Sequence, residues 1–199
     1  INEGMASYSE SLFIEWIEGE EAYLDYVRDN RKEVLTSAHE SDGGFFPVSG
    51  IGTELTYGDH VYDKGADVAH NLRLLLGDDV FFTALDSFLE ENAFSSVTSE
   101  QFRDHLDNAS IEDVSALFNP MIFNPGFMEF SIDDFTIVQS GDDQEISIDL
   151  RQKLRYAPDY YSSVPLVITT MDILGNTEDF PVVANGQYST ITITTSLET

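Results

Sequence analysis

The feature that most constrains this chain is a single change in apolar period. Up to about residue 122 the apolar residues recur at helical spacing, and beyond Asn124-Pro125-Gly126 they recur at every second position. One segment cannot satisfy both periods, because a helix turns its side chains around an axis while a strand alternates them between two faces. The sequence therefore predicts an α+β chain: a helical part over 1–124, then a small antiparallel β-sandwich over 125–199.

Within the helical part, Phe13, Trp16 and Ile17 mark the expected core face of a first helix, and Gly19 interrupts it. Leu24, Val27, Val34, Leu35 and Ala38 form a second stripe, with Arg28 and Arg31 near its edge. Residues 41–60 are rich in glycine and read as a long loop, a type of segment that often carries function. Tyr62, Ala66, Ala69, Leu72, Leu75 and Leu76 mark a third helix, closed by Gly77. Asp78 or Asp79 can cap the next, whose face is Phe81, Leu85, Phe88 and Leu89. Thr98 with Gln101 has the form of a capping box, and Ser110 with Asp113 can start a short last helix carrying Val114, Leu117 and Phe118. Asn119-Pro120 and Asn124-Pro125-Gly126 read as breakers.

Five strands are expected in the second part: Phe130–Val138, a run through Ile146, Ile148 and Leu150, Val164–Met171, Phe180–Ala184 and Tyr188–Thr195. Asn185-Gly186 is the strongest hairpin signal in the chain.

Composition narrows the partners. The chain carries 37 acidic against 9 basic residues, a formal net charge of -28, which disfavours nucleic acid and anionic membranes alike. No apolar run approaches the roughly 20 residues needed to span a bilayer. With no cysteine there is neither a disulfide framework nor a thiolate metal site. The excess of carboxylates, with only Lys32, Lys64 and Lys153 as lysines, matches a saline setting in which salt screens self-repulsion. A periplasmic or secreted location is compatible with this.

Two short clusters carry more chemistry: Ile1-Asn2-Glu3-Gly4-Met5-Ala6-Ser7-Tyr8 and Val61-Tyr62-Asp63-Lys64-Gly65-Ala66. In order and separation they resemble the aminopeptidase N family of zinc metallopeptidases, the gluzincins. There a Leu-Asn-Glu-Gly-Phe-Ala segment follows a His-Glu-x-x-His helix, and a Tyr-x-Lys-Gly-Ala segment lies downstream. The resemblance implies the helical C-terminal part of a thermolysin-like catalytic domain followed by a β-sandwich. It implies that Glu3 is the third zinc ligand and that the Tyr62 hydroxyl steadies the tetrahedral intermediate. It also implies a peptide substrate, with zinc in the intact enzyme.

The sequence departs from that family in two respects. His39, His60, His70 and His105 are the only histidines, and no two stand four apart. The Gly-x-Met-Glu-Asn segment is absent as well. Starting at Ile1, the chain reads as a truncated piece lacking two zinc ligands and the general base, so on its own it is expected to bind no zinc and to be inactive.

Plainer readings stand beside these. Glu3 can be an acid in a helix's first turn, and Tyr62 a half-buried core tyrosine. His60 and His70 read as structural, Lys64 as pairing with a local acid, Asp42, Asp59 and Asp63 as a solvated acidic loop, and Trp16 as core. A non-catalytic scaffold is the alternative to an enzyme. A protein- or carbohydrate-binding module is a further one, with Tyr156, Tyr160 and Tyr161 as its aromatic candidates.

Overall fold

The computed structural model describes residues 1–197. Its helical layer comprises α1 (Asn2–Glu18), α2 (Glu20–Thr36), α3 (Ala38–Ser41), α4 (Asp59–Leu76), α5 (Asp78–Glu91), α6 (Ser99–Ala109) and α7 (Val114–Phe123), with a 3-10 turn at Thr53–Leu55. Five strands follow: β1 (Phe127–Ser140), β2 (Asp143–Arg155), β3 (Val164–Met171), β4 (Thr177–Ala184) and β5 (Tyr188–Thr195). They form a three-stranded antiparallel sheet in the order β1-β2-β5 and a two-stranded sheet β3-β4.

α4 is the central helix. Val68, Ala69 and Leu72 are fully buried along it, and α1, α2, α5 and α7 pack around it. The expected helix signals hold at several ends. Gly77 takes a φ of 75° and its N–H reaches the Arg73 carbonyl at 2.8 Å. Thr98 and Gln101 make the reciprocal capping box, and Asp113 caps α7 through the Ala116 N–H. At α5 the cap is Gly77, so Asp78 is free to bind Arg73. That guanidinium pairs with both Glu15 and Asp78 and lies against the rings of Tyr23 and Phe82, tying together α1, α2, α4 and α5.

α1 turns the opposite way from its expected orientation. Gly4, Tyr8 and Ser11 are its buried residues, while Phe13, Trp16 and Ile17 are 59%, 80% and 57% exposed. Trp16 is therefore not core. The reason lies in what α1 meets. At one end it touches the backbone of α4, and at the other it meets the polar group formed by Tyr8, Tyr23 and Arg73, so its small and polar stripe goes inward. Leu89 likewise points outward from α5 at 61% exposure.

Pro120 does not break α7. The helix continues through it to Phe123 because Met121 and Ile122 are buried in the core, which offsets the hydrogen bond that proline cannot donate. The Ile122 carbonyl accepts from the N–H groups of Val48 and Ser49, so the long loop is stitched to the end of α7.

The β part docks on the helices through a continuous core. Met128, Tyr161 and Val164 join the apolar cluster that contains Leu72, Phe81 and Phe118. Arg31 of α2 pairs with Asp67 and donates to the Met128 carbonyl at 2.7 Å, and Arg155 donates to the Leu35 carbonyl at 2.9 Å. Between the sheets, Ile146, Ile148, Leu150 and Ile193 pack against Leu166, Ile168, Phe180 and Val182.

The Asn185-Gly186 signal misled. β4 and β5 belong to different sheets, and the turn carries the chain from one to the other. Its polar groups are captured elsewhere. The Gly186 N–H donates to the Tyr161 carbonyl, the Ser163 N–H donates to the Asn185 side chain, and the Gln152 N–H donates to the Gln187 carbonyl. Gln152, only 1% exposed, accepts from the Tyr161 N–H and donates to the carbonyls of Tyr161 and Gly186. The three loop tyrosines make no shared platform, since Tyr161 is core and Tyr156 stacks on Phe45 at 4.2 Å between ring centroids.

Candidate active site

The geometry begins with two glycines. A Cβ built on Gly4 of α1 would lie 2.5 Å from the Gly65 Cα of α4, and one on Gly65 would lie 2.7 Å from the Gly4 Cα. No residue with a side chain fits at either place, so the helices cross backbone against backbone. Glu3 immediately precedes one glycine, and Tyr62 lies three residues before the other. The crossing therefore brings the two sequence-predicted side chains together.

Both are half-buried. The Tyr62 phenol is pushed above its usual pKa by loss of solvent, then by the charge of the Glu3 carboxylate and its hydrogen bond, with a smaller contribution from Tyr57. Asn2 donates to Glu3 at 3.1 Å and steadies the carboxylate. Tyr57, from the long loop, is the addition that sequence reasoning missed; it is 81% exposed and lies outside every apolar period. An apolar groove of about 600 Å³ lies between α1 and the α5–α6 region, lined by Ile1, Met5, Phe88, Leu89 and Phe102. Glu3 and Tyr62 stand outside it.

His60 and His70 have structural partners. His60 is 1% exposed and bonds Asp42 through Nδ1 at 2.6 Å. Asp42 also accepts from the N–H groups of Asp59 and His60, so it caps α4 from 17 residues away. Far from being a solvated loop acid, it holds the helix that presents Tyr62. A Cβ at Gly58 would meet the Asp42 carboxylate at 2.6 Å, so a larger residue there would displace this cap. His70 bonds the Tyr23 hydroxyl at 2.7 Å, and Tyr23 bonds Tyr8 at 3.0 Å. Burial holds both imidazoles below their usual pKa. Asp63 is pushed up to about 6 by burial and by the carboxylates of Asp59, Glu33 and Asp42.

Among the described residues Lys64 makes no hydrogen-bonded acid pair. It is 2% exposed and donates to the carbonyls of Asn124 at 3.0 Å and Phe46 at 3.4 Å, above the Phe127 ring. Burial lowers its pKa from 10.5 to about 7; Arg31 adds to the effect and Asp67 opposes it. The unfolded chain keeps this proton up to about 10.5 and the folded chain releases it near 7, so stability is expected to rise with pH between those values. From about pH 7 to about pH 9 the gain is about 2 kcal/mol. Comparison of melting curves with Lys64→Met isolates the lysine. The variant should lose most of the slope, and an unchanged slope would refute the assignment.

Comparison with known proteins now bears on this geometry. The fold and the paired motifs define a peptidase domain: residues 1–121 match the Peptidase family M1 domain. The chain belongs to peptidase family M1. It is 31% identical over 81 residues to aminopeptidase N of Lactococcus lactis subsp. lactis, a match covering 39% of this chain and 10% of that protein. It is 28% identical over 132 residues to aminopeptidase M1-B of Oryza sativa subsp. japonica, covering 64% of this chain and 15% of that protein. Among solved structures, that of Legionella pneumophila aminopeptidase A in complex with aspartic acid superposes with a TM-score of 0.69 at 17% identity. That superposition covers 99% of this chain and 21% of that one, and it speaks for the fold.

Proposed function

We propose that this chain is a portion of a zinc-dependent aminopeptidase that hydrolyses N-terminal peptide bonds, with Glu3 as one metal ligand and Tyr62 as the oxyanion donor. The observation that carries this reading is the Gly4–Gly65 crossing, which sets the carboxylate beside the phenol. Membership of peptidase family M1 supports it.

One carboxylate is not a zinc site. A catalytic zinc needs three protein ligands, and among the described residues no three His, Cys, Asp or Glu side chains stand together. The described residues of this chain do not by themselves fit the ion. Tyr62 supplies the electrophilic part. Its raised pKa keeps the phenolic proton in place at neutral pH, where the hydroxyl can donate one directional hydrogen bond to a carbonyl oxygen gaining negative charge.

The test has two arms. The isolated chain, supplied with zinc, should not hydrolyse an aminoacyl p-nitroanilide, and measurable turnover would overturn the incomplete-site reading. In the whole enzyme, Glu3→Gln should lower bound zinc by about tenfold or more at unchanged secondary structure. Full zinc occupancy in that variant would remove Glu3 from the ligand set.

A further inference from the structure

The first turn of α4 is held from outside the helix. Its N-cap, Gly58, has no side chain to satisfy the leading N–H groups. Asp42 does so instead, taking the N–H of Asp59 at 3.1 Å on one oxygen and that of His60 at 2.9 Å on the other. The second oxygen also accepts from His60 Nδ1 at 2.6 Å. Asp42 is itself anchored. Its N–H donates to the carbonyl of Ala38, a fully buried residue of α3 that packs with Val34 and Phe127.

His60 and Lys64 stand four residues apart, so both side chains leave the same face of α4. They meet the same two partners. The His60 ring stacks on Phe127 and meets Phe46 edge-on, each at 5.7 Å between centroids. Lys64 donates to the Phe46 carbonyl and lies over the Phe127 ring. Phe127 is the first residue of β1, so the β part grips the helix at this turn. Tyr62, two residues from each, projects from the opposite face. The Gly4–Gly65 crossing pins α4 after Tyr62, and the Asp42–His60 pair pins it before. That pair lies inside the molecule, with side-chain exposures of 7% and 1%. His60 does more than fill space. Its Nδ1 proton goes to Asp42, which leaves Nε2 as an acceptor, and among the described residues nothing pairs with it. A buried acceptor without a donor is costly, and an apolar side chain would fill the same space without that cost. What the imidazole adds is the bond to Asp42.

We propose that His60 is a positioning residue for Tyr62: through Nδ1 on Asp42 and its ring on Phe127, it fixes the turn of α4 that carries the phenol. Its effect on turnover rests on the reading of Tyr62 as the oxyanion donor; its effect on where the phenol stands does not.

The test is made in the whole enzyme. Fluorine NMR of the zinc-free form, carrying 3-fluorotyrosine at position 62, reads the phenol directly, and steady-state kinetics of the zinc-loaded form reads turnover. His60→Leu keeps an apolar filling and removes the Nδ1 donor. It should shift the resonance of residue 62 and lower its titration midpoint toward that of Glu3→Gln, because the phenol moves from the carboxylate that raises it. Turnover, kcat, should fall at least about tenfold with KM nearly unchanged, since a displacement of about 1 Å can cost about 10²-fold. His60→Asn, whose amide nitrogen can donate from near the place of Nδ1, should restore both readouts. Should His60→Leu fail to fold, Asp42→Asn makes the same test, because it leaves one acceptor oxygen for three donors. A parent-like resonance and midpoint in His60→Leu would overturn the proposal. So would a loss that His60→Asn does not restore, which would mark the ring as packing alone. Tyr62→Phe separates the two readings. If it leaves kcat unchanged, the oxyanion reading fails, and the resonance still decides whether His60 places the phenol. If it lowers kcat while His60→Leu does not, the positioning role fails.

Discussion

Replacing Tyr62 by phenylalanine in the whole enzyme is expected to lower kcat by about 10²–10³-fold and to leave KM nearly unchanged. The substitution removes one hydroxyl and keeps the ring, so the crossing of α1 and α4 survives. A hydrogen bond made only as the carbonyl oxygen gains charge contributes little to substrate binding and much to turnover, about 2.7–4 kcal/mol in comparable sites. The elevated phenol pKa, which follows from lost solvent and from Glu3, means that the donor is fully protonated at the pH of the assay. Steady-state kinetics at fixed zinc occupancy checks this. A kcat within about twofold of the parent, far short of the loss of an oxyanion donor, would take Tyr62 out of the reaction.

Gly65→Ala should be strongly destabilising. Alanine is normally the better helix former by about 1 kcal/mol, so propensity alone predicts a gain. The crossing reverses the sign. The new methyl group would stand 2.7 Å from the Gly4 Cα, and backbone cannot rotate away as a side chain can. The helices must separate, at a cost of about 3 kcal/mol, the upper part of the range for overpacking. For a chain of this length that is a fall in melting temperature of about 6–12 °C. Gly4→Ala should behave alike, and in the whole enzyme both should also depress kcat by moving Glu3 from Tyr62. A melting temperature at or above the parent value would show that the contact yields easily.

Much of this architecture could be read from the chain because it depends on local chemistry. The capping box at Thr98 and Gln101, the stop at Gly77 and the switch to alternation after Gly126 each depend on residues within a few positions of one another. Where partners are distant, periodicity gave the wrong answer. The inward face of α1 is decided by Gly65 and Arg73, more than fifty residues downstream, so an apolar stripe of Phe13, Trp16 and Ile17 was assigned to the wrong side. Asp42 looked like a loop acid because the helix end it caps is assembled only in three dimensions. Asn185-Gly186 has the right residues for a tight turn, but Tyr161 and Ser163, in the segment before β3, take its hydrogen bonds. The pairing of Glu3 with Tyr62 follows from a resemblance and not from the apolar periodicity. The glycines in both motifs were the physical clue, since a helix tolerates glycine poorly unless something must approach closely.

The contact at Gly4 and Gly65 has a consequence for motion. Two helices touching main chain to main chain act as a calliper locked at one setting: no rotamer change can alter the spacing of the backbones that carry Glu3 and Tyr62.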